Sequence, residues 1–417
     1  MQNVISVGLV LPDLSRTVAE EHLTELARLI ETAGANVVAS VLAKRNGPDP
    51  ATFVGKGKAE EIKKLAADNN VTLIVFDDDL SPAQVRNLEK IIETKVIDRS
   101  ALILDIFAGR ARSREARTQV ELAQLEYMLP RLTRAWTHLE RQAGGTGGGA
   151  RRGVGETQLE LDRRIVRTRI ARLKEDLKHI EKTRDTQRKS RGAAFTVALV
   201  GYTNAGKSTL FNRLTRGGAE AMNKLFATLD SKSQRAAFEM PRETVVIDTV
   251  GFIRKLPHHL VASFRSTMEE AVAADLVLHV IDASHPQNDE QREVGNEVLA
   301  DLGIDPERVV EVYNKSDQLD DHFDRRRANT VLLSALTGDG IDRLVDAIRV
   351  REREGGELMH LDIPHDESRL AAKLHELAEI HEQNVEENAT HFTAWVPDGS
   401  VHLFRKFAVN ASARKTA

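Results

Sequence analysis

Phe195-Thr196-Val197-Ala198-Leu199-Val200-Gly201-Tyr202-Thr203-Asn204-Ala205-Gly206-Lys207-Ser208-Thr209-Leu210 leads from a β-branched apolar run, through Gly-x-x-x-x-Gly-Lys-Ser, into helix-compatible sequence. That order of strand, loop and helix predicts a phosphate-binding loop. The glycines let the backbone fold tightly enough for several N–H groups to converge on phosphate oxygens, and the helix start adds its positive dipole end. Lys207 supplies a point charge to the β- and γ-phosphates, and the Ser208 hydroxyl can ligate Mg²⁺. The cradle is assigned to Gly201, Tyr202, Thr203, Asn204, Ala205, Gly206, Lys207, Ser208 and Thr209. A Gly-rich turn with an incidental Lys is the plain alternative, and only the rest of the chain can remove it.

Four further signals follow in the order a GTP site needs. Phe226-Ala227-Thr228-Leu229-Asp230 lies where a first switch belongs, with Thr228 a candidate Mg²⁺ and γ-phosphate ligand. Asp248-Thr249-Val250-Gly251 ends the apolar run Val245-Val246-Ile247. Asp248 is expected to hold Mg²⁺ through water, and Gly251 to bring its N–H to the γ-phosphate. Asn314-Lys315-Ser316-Asp317 follows the strand-like Val309-Val310-Glu311-Val312-Tyr313. Guanine offers N1–H and its exocyclic amine as donors, and the Asp317 carboxylate can accept both. Adenine offers no such pair, and an acceptor left unpaired costs enough to discriminate. Ser334-Ala335-Leu336 closes the set, its backbone N–H groups expected at guanine O6. Five ordered motifs make a GTPase with Mg²⁺ as cofactor and GTP as substrate.

The residue after Gly251 is Phe252, where many GTPases carry a Gln that orients water. A phenyl ring cannot polarise water. Two substitutes are open: a partner that orders the switches, or a cation near the β/γ-phosphates. Asn204 resembles the residue that ligates K⁺ in some GTPases lacking the Gln, and equally it can simply shape the loop. Lys207, Thr228, Gly251 and Asn204 are therefore the candidate catalytic residues, with slow intrinsic turnover expected.

The 417-residue chain is longer than one core supports. It contains no cysteine, which excludes disulfides and thiolate metal sites. No apolar run approaches a membrane span and no signal peptide opens the chain, so a cytoplasmic, soluble protein is expected. Oligomeric state is not readable from the sequence, and a monomer is the simpler expectation. Charge is divided unevenly. Residues 110–191 hold 21 Lys+Arg against 11 Asp+Glu, a net of +10, inside a chain whose net charge is −4. A polyanionic partner is implied for that segment.

The sequence reads as a multidomain α/β protein. Residues 1–109 form an N-terminal βα domain and 110–191 a long antiparallel helical arm. Residues 192–355 form a P-loop GTPase domain with a mostly parallel sheet, and 356–417 a small α+β C-terminal domain. In the first domain, Ser15 is expected to cap one helix, and Ser81-Pro82 to open another. In the arm, Leu125, Met128, Leu132, Trp136 and Leu139 recur at helical spacing, with an interruption at Pro130. Val166, Ile170, Leu173, Leu177 and Ile180 make a second seam. Between the two helices, residues 144–155 contain seven glycines. A loop nearly free of side chains can enter a narrow RNA crevice and order there, or it can merely connect. Gly147, Gly148, Gly149, Arg151 and Arg152 are the candidate RNA contacts. At the C-terminus, His391–Val396 is expected to pair with Ser400–Phe407 through an Asp398-Gly399 turn, after a helix over Glu367–Glu382. The spacing of the tail histidines does not suit a metal site.

Several narrower segments resemble the HflX family of ribosome-associated GTPases. They are Phe53-Val54-Gly55-Lys56-Gly57-Lys58, Asp98-Arg99-Ser100-Ala101-Leu102-Ile103-Leu104-Asp105-Ile106-Phe107, and the Gly-rich loop flowing into Gly153-Val154-Gly155-Glu156-Thr157-Gln158-Leu159-Glu160. The resemblance covers essentially the whole length. It implies a factor that binds the large (50S) ribosomal subunit and its RNA in the GTP state, splits 70S ribosomes, and leaves after hydrolysis. It also implies that residues 144–155 approach the peptidyl-transferase region. A checkpoint in large-subunit assembly and a passive anti-association protein are the competing readings.

Overall fold

The computed structural model describes residues 2–132, 158–190, 194–215, 226, 231–240, 242–255, 268–319, 330–386 and 388–409. It divides into two compact units. One comprises Met1–Arg184, Met222–Asp230 and Ile253–Ser266, the other Asp185–Ala221, Ser231–Phe252 and Thr267–Ala417.

The first unit begins with β1 (Asn3–Val10), α1 (Arg16–Thr32), β2 (Asn36–Lys44) and α2 (Lys56–Asp68). It continues with β3 (Leu73–Phe76), α3 (Pro82–Ile92), β4 (Lys95–Asp98), α4 (Arg99–Arg110) and α5 (Arg114–Met128). The strands form a fully parallel sheet in the order β2-β1-β3-β4. Helix starts follow the expected chemistry. Ser15 accepts the Val18 N–H, and Ser81 and Gln84 make a reciprocal capping box with Pro82 in the first turn. Leu26, Leu29 and Ile30 of α1 are fully buried, as are Ile5 and Val7 of β1. A side chain at Gly8 would stand 3.1 Å from Leu23, so this glycine permits the close helix–strand approach.

Asp98 lies where β4 turns into α4 and is fully buried. Its carboxylate accepts from Ala101 N–H (2.9 Å), Leu80 N–H (3.2 Å), the Tyr127 hydroxyl (2.8 Å) and Arg131 (2.9 Å). The next residue, Arg99, is equally enclosed and donates to Asp77 at 2.6 Å and to Glu25. Ser100 donates to Asp79. Burial pushes the Asp77 carboxyl above its ordinary value, with Arg99 and Lys255 pulling the other way. Lys255 pairs with Asp77 at 3.1 Å and with Asp78, and Phe226 packs edge-to-face on Phe107 at 4.6 Å.

A short 3-10 turn, Leu129–Arg131, ends α5 at the expected proline. The 33-residue α6 (Gln158–Ser190) buries Leu173, with Val166, Ile170, Leu177 and Ile180 half-buried and most of the basic side chains between them exposed. Arg169 grips Glu121 of α5 with two bonds, 2.7 and 2.9 Å, and Lys174 meets Glu126 at 2.8 Å. The Gly-rich loop, including Gly147, Gly148, Gly149, Arg151 and Arg152, lies outside the described residues.

The second unit carries a six-stranded sheet ordered β10-β9-β8-β5-β7-β6. Its strands are β5 (Phe195–Gly201), β6 (Lys232–Arg235), β7 (Thr244–Asp248), β8 (Leu276–Asp282), β9 (Val309–Asn314) and β10 (Thr330–Leu332). Only β6 runs antiparallel to its neighbour. Every residue of β8 is buried, as expected for an inner strand of a parallel sheet covered on both faces. Helices α7 (Lys207–Thr215), α8 (Asn288–Asp301) and α9 (Ile341–Glu354) are interleaved with these strands. Ligands of such sheets bind beyond the carboxyl ends of the strands, and there the motif loops lie.

The C-terminal part departs from the expected hairpin. β11 (Gly356–Pro364), α10 (Ser368–Leu377), β12 (Glu379–Val385) and β13 (Ala389–Pro397) precede α11 (Asp398–Phe404). β13 is the central strand, antiparallel to both β11 and β12. The residues expected as a return strand are therefore a helix. Val401 and Phe404, three apart, both face the core, a helical spacing that a short window does not separate from alternation. The helix expected over Glu367–Glu382 likewise ends at Leu377, and the sequence beyond it pairs as β12. Arg242, just before β7, ties this sheet to the larger one. Its guanidinium lies 5.2 Å from the Phe195 ring and 5.1 Å from the Trp395 ring, and bonds the buried Glu352 at 3.2 Å.

Replacing Arg99 by Leu removes a cation and leaves the Asp77 carboxylate enclosed. The urea transition of the first unit is expected to fall by about 3 kcal/mol. An unchanged transition would show that Arg99 contributes nothing to stability.

Candidate functional site

The phosphate loop follows β5. Gly201 has φ +142 and Gly206 φ +93, and a side chain at either would strike the backbone of Val280 or the Asn314 amide at 2.1 and 2.2 Å. These two positions require glycine. Asn204 is exposed and left-handed at φ +64, a conformation Asn tolerates better than most residues. Its loop-shaping role thus has a direct observation behind it. The Thr203 hydroxyl is buried without a protein partner among the described residues, as befits a group that meets a ligand.

Lys207, the first residue of α7, is buried and donates to the carbonyls of Gly201 (3.0 Å) and Tyr202 (2.9 Å). Burial pulls its pKa down to about 8, with the Asp248 charge opposing. Ser208 Oγ donates to Asp248 Oδ2 at 2.7 Å, so hydroxyl and carboxylate already converge. A hydroxyl and a carboxylate make the hard oxygen set that Mg²⁺ takes, and the two residues fit that ion. Thr249 donates to the Leu199 carbonyl at 2.7 Å, fastening the second motif to β5. A side chain at Gly251 would lie 2.8 Å from both Lys207 Nζ and the Thr203 methyl, so only glycine fits beside the loop.

Beyond Gly251, Phe252 N–H donates to Gly201 O at 2.8 Å and Thr203 N–H to Phe252 O at 2.7 Å. The Phe252 ring turns inward, with an edge-to-face contact to His279 at 6.3 Å. Burial lowers the His279 pKa to about 4, and its Nδ1 faces Asn296 Oδ1 at 3.2 Å. This imidazole stays neutral at physiological pH.

The elements expected to read the base close around Asn314. Its Nδ2 donates to Ala205 O at 2.8 Å, and its Oδ1 accepts the Ala335 N–H at 2.9 Å. Lys315 is left-handed at φ +67 and pairs with Asp282 at the end of β8. Asp317 is exposed and accepts the Ser334 hydroxyl at 2.5 Å. The Ser334 N–H donates to Asp339 O at 2.9 Å. The structure thus gathers Gly201–Thr209, Asp248–Gly251, Asn314, Lys315, Asp317 and Ser334–Leu336 in one unit. Phe226 belongs to the other, and Ala227 and Thr228 lie outside the described residues. Sequence reading missed Asp282, His279 and Arg213. A polar residue closing or interrupting the apolar strand Leu276–Asp282 was the available signal for the first two.

Residues 20–108 match the family described as GTP-binding GTPase N-terminal, and residues 110–191 the GTP-binding GTPase middle region. Residues 196–315 match the family described as 50S ribosome-binding GTPase. GTPase HflX of Escherichia coli K12 is 46% identical over 393 residues, covering 92% of this chain and 89% of that protein. The chain belongs to the HflX GTPase family. GTPase HflX of Flavobacterium psychrophilum is 50% identical over 317 residues, 76% of each chain, and that of Lacrimispora saccharolytica 42% identical over 400 residues, 95% and 93%. This HflX-family chain is accordingly a GTPase. Among the described residues no helix is long and apolar enough to cross a membrane.

The Lys207 pKa gives a sign that can be checked. Triphosphate favours the ammonium, which is the majority form below pH about 8 and is lost above it. GTP affinity should be level from pH 6.5 to 7.5 and weaken as pH rises past 8. Lys207→Arg, whose guanidinium stays charged, should flatten the curve when fluorescent-nucleotide binding is followed against pH. A wild-type profile without that fall would contradict the assignment.

Proposed function

We propose that this HflX-family GTPase binds the large ribosomal subunit in its GTP state, dissociates 70S ribosomes, and leaves after hydrolysis. The observation that carries the reading is the segment 110–191. A net charge of +10 is concentrated where α6 keeps most of its basic side chains in solvent. Solvated cations along a helix, in a chain that also carries a complete set of GTP motifs, suit a nucleotide-gated grip on RNA phosphates. The Gly-rich loop at 144–155 is assigned the RNA contact, through Gly147, Gly148, Gly149, Arg151 and Arg152. The description 50S ribosome-binding GTPase, which the match at 196–315 carries, supports the same partner. Action on ribosomes places the protein in the cytoplasm, and a monomer suffices for it.

Sucrose-gradient sedimentation of purified 70S ribosomes with GTP, GDP or a non-hydrolysable analogue tests the cycle. Wild type should raise the free-subunit peaks with the triphosphate and not with GDP. Lys207→Ala should abolish the effect, and shortening 144–155 should abolish it while leaving GTP binding intact. Splitting by Lys207→Ala at the wild-type level would favour passive blocking of the subunit interface. A shortened loop that splits normally would reduce 144–155 to a connector.

Hydrolysis needs a substitute for the water-orienting side chain that Phe252 lacks. We assign that role to the ribosome, with K⁺ at Asn204 as the second source. Ribosome-free turnover compared in potassium and in sodium separates the two. Equal, slow rates leave the ribosome as the stimulus, and a rate that rises only in potassium assigns it to Asn204. Fast turnover in sodium alone would overturn both.

A further inference from the structure

Arg213 carries no part of the five motifs, yet it reaches the loop that reads the base. It sits on α7, six residues beyond Lys207, or about 9 Å along the helix axis. Its Nε donates to the Ala335 carbonyl at 3.3 Å and its Nη2 to the Leu336 carbonyl at 2.5 Å. The planar guanidinium thus bridges two successive peptide oxygens as a fork, which a Lys cannot do. Gly338, left-handed at φ +97, closes the turn over it, and a side chain there would stand 3.6 Å from Arg213 Cζ.

The consequence lies in the peptide plane. A trans peptide points its C=O and N–H in opposite directions. With the Ala335 carbonyl held on Arg213, the Leu336 N–H must point away from it. The neighbouring amides are already committed. Ser334 N–H donates to Asp339 O, Ala335 N–H to Asn314 Oδ1, and Thr337 N–H to Ser334 Oγ. From Ser334 to Asp339, Leu336 N–H is the one amide that no described residue accepts, and Leu336 is 68% exposed. We propose that Arg213 is a positioning residue for guanine recognition: by holding the Ala335 and Leu336 carbonyls it aims the Leu336 amide at the O6 of the bound base.

This arrangement ties the two ends of the nucleotide together. The helix whose first turn holds Lys207 and Ser208 also sets the direction of a base-reading donor. Arg213 therefore acts on O6, whereas Asp317 is suited to N1–H and the 2-amine.

Titration calorimetry on the full chain with GDP, 6-thio-GDP and IDP distinguishes these roles. The thio analogue keeps the N1–H and 2-amine and weakens the O6 acceptor, and IDP keeps O6 and loses the amine. Arg213→Ala should weaken GDP by about fivefold, the worth of one hydrogen bond. It should shrink the GDP preference over 6-thio-GDP and leave the preference over IDP as in wild type. Arg213→Lys should recover part of the lost affinity, and Arg213→Gln serves for the same ratios if the Ala variant does not fold. An unchanged GDP/6-thio-GDP ratio, or equal losses for all three nucleotides, would overturn the assignment.

Discussion

The second unit depends on the Asn314 carboxamide. It is 2% exposed, and both of its polar atoms are spent on backbone, one on the phosphate loop and one on the base loop. A buried amide with both ends satisfied is strongly directional, because leaving either end unpaired costs about 1–3 kcal/mol. The phosphate loop and the base loop come from β5 and from beyond β10, over a hundred residues apart. Asn314 fixes their separation, and that separation must match the length of a nucleotide. Gly206 belongs to the same constraint, since any side chain there would fall on the Asn314 nitrogen.

In the first unit the corresponding anchor is Asp98-Arg99-Ser100. Asp98 gathers one helix start, one loop amide, one tyrosine and one arginine, while Arg99 and Ser100 reach back to the acidic residues that follow β3. Buried charges survive only when paired, and here each is. The segment by which the sequence resembles its family therefore has a structural task, joining the C-terminal ends of β3 and β4 to α1, α4 and α5. Its specificity as a signature follows from how many partners must be present together.

Much of this was legible because the signals are local. Ser15, Ser81 and Pro82 announce helix starts by capping chemistry, and the glycines of the phosphate loop announce a backbone that no other residue permits. Arg213 was not legible, because it acts on residues distant in sequence, and for Asp282 and His279 the one local trace was a polar residue in an apolar strand. The C-terminal sheet was misread for a different reason. Val401 and Phe404 satisfy a helical period, but seven residues are too few to separate that period from alternation, and the Asp398-Gly399 pair serves a helix start as readily as a hairpin turn. Glu379–Val385 was drawn into the preceding helix because its Glu and His residues carry little strand signal, and pairing with β13 decides its state.

Phe252 shows how a local rule can break and still be consistent. At the position where a Gln would face water, the ring is 3% exposed and packs against an imidazole that burial keeps neutral. The backbone on either side of that ring exchanges two hydrogen bonds with the phosphate loop. An amide side chain placed there would bury a polar group among apolar neighbours, at a cost of about 1–3 kcal/mol. The same packing that excludes Gln thus holds Gly251 against Lys207 and Thr203, where its N–H can serve a phosphate oxygen. Position 252 gives up the orienting of water and retains the aiming of a backbone donor, so the stimulus for hydrolysis has to come from outside this side chain.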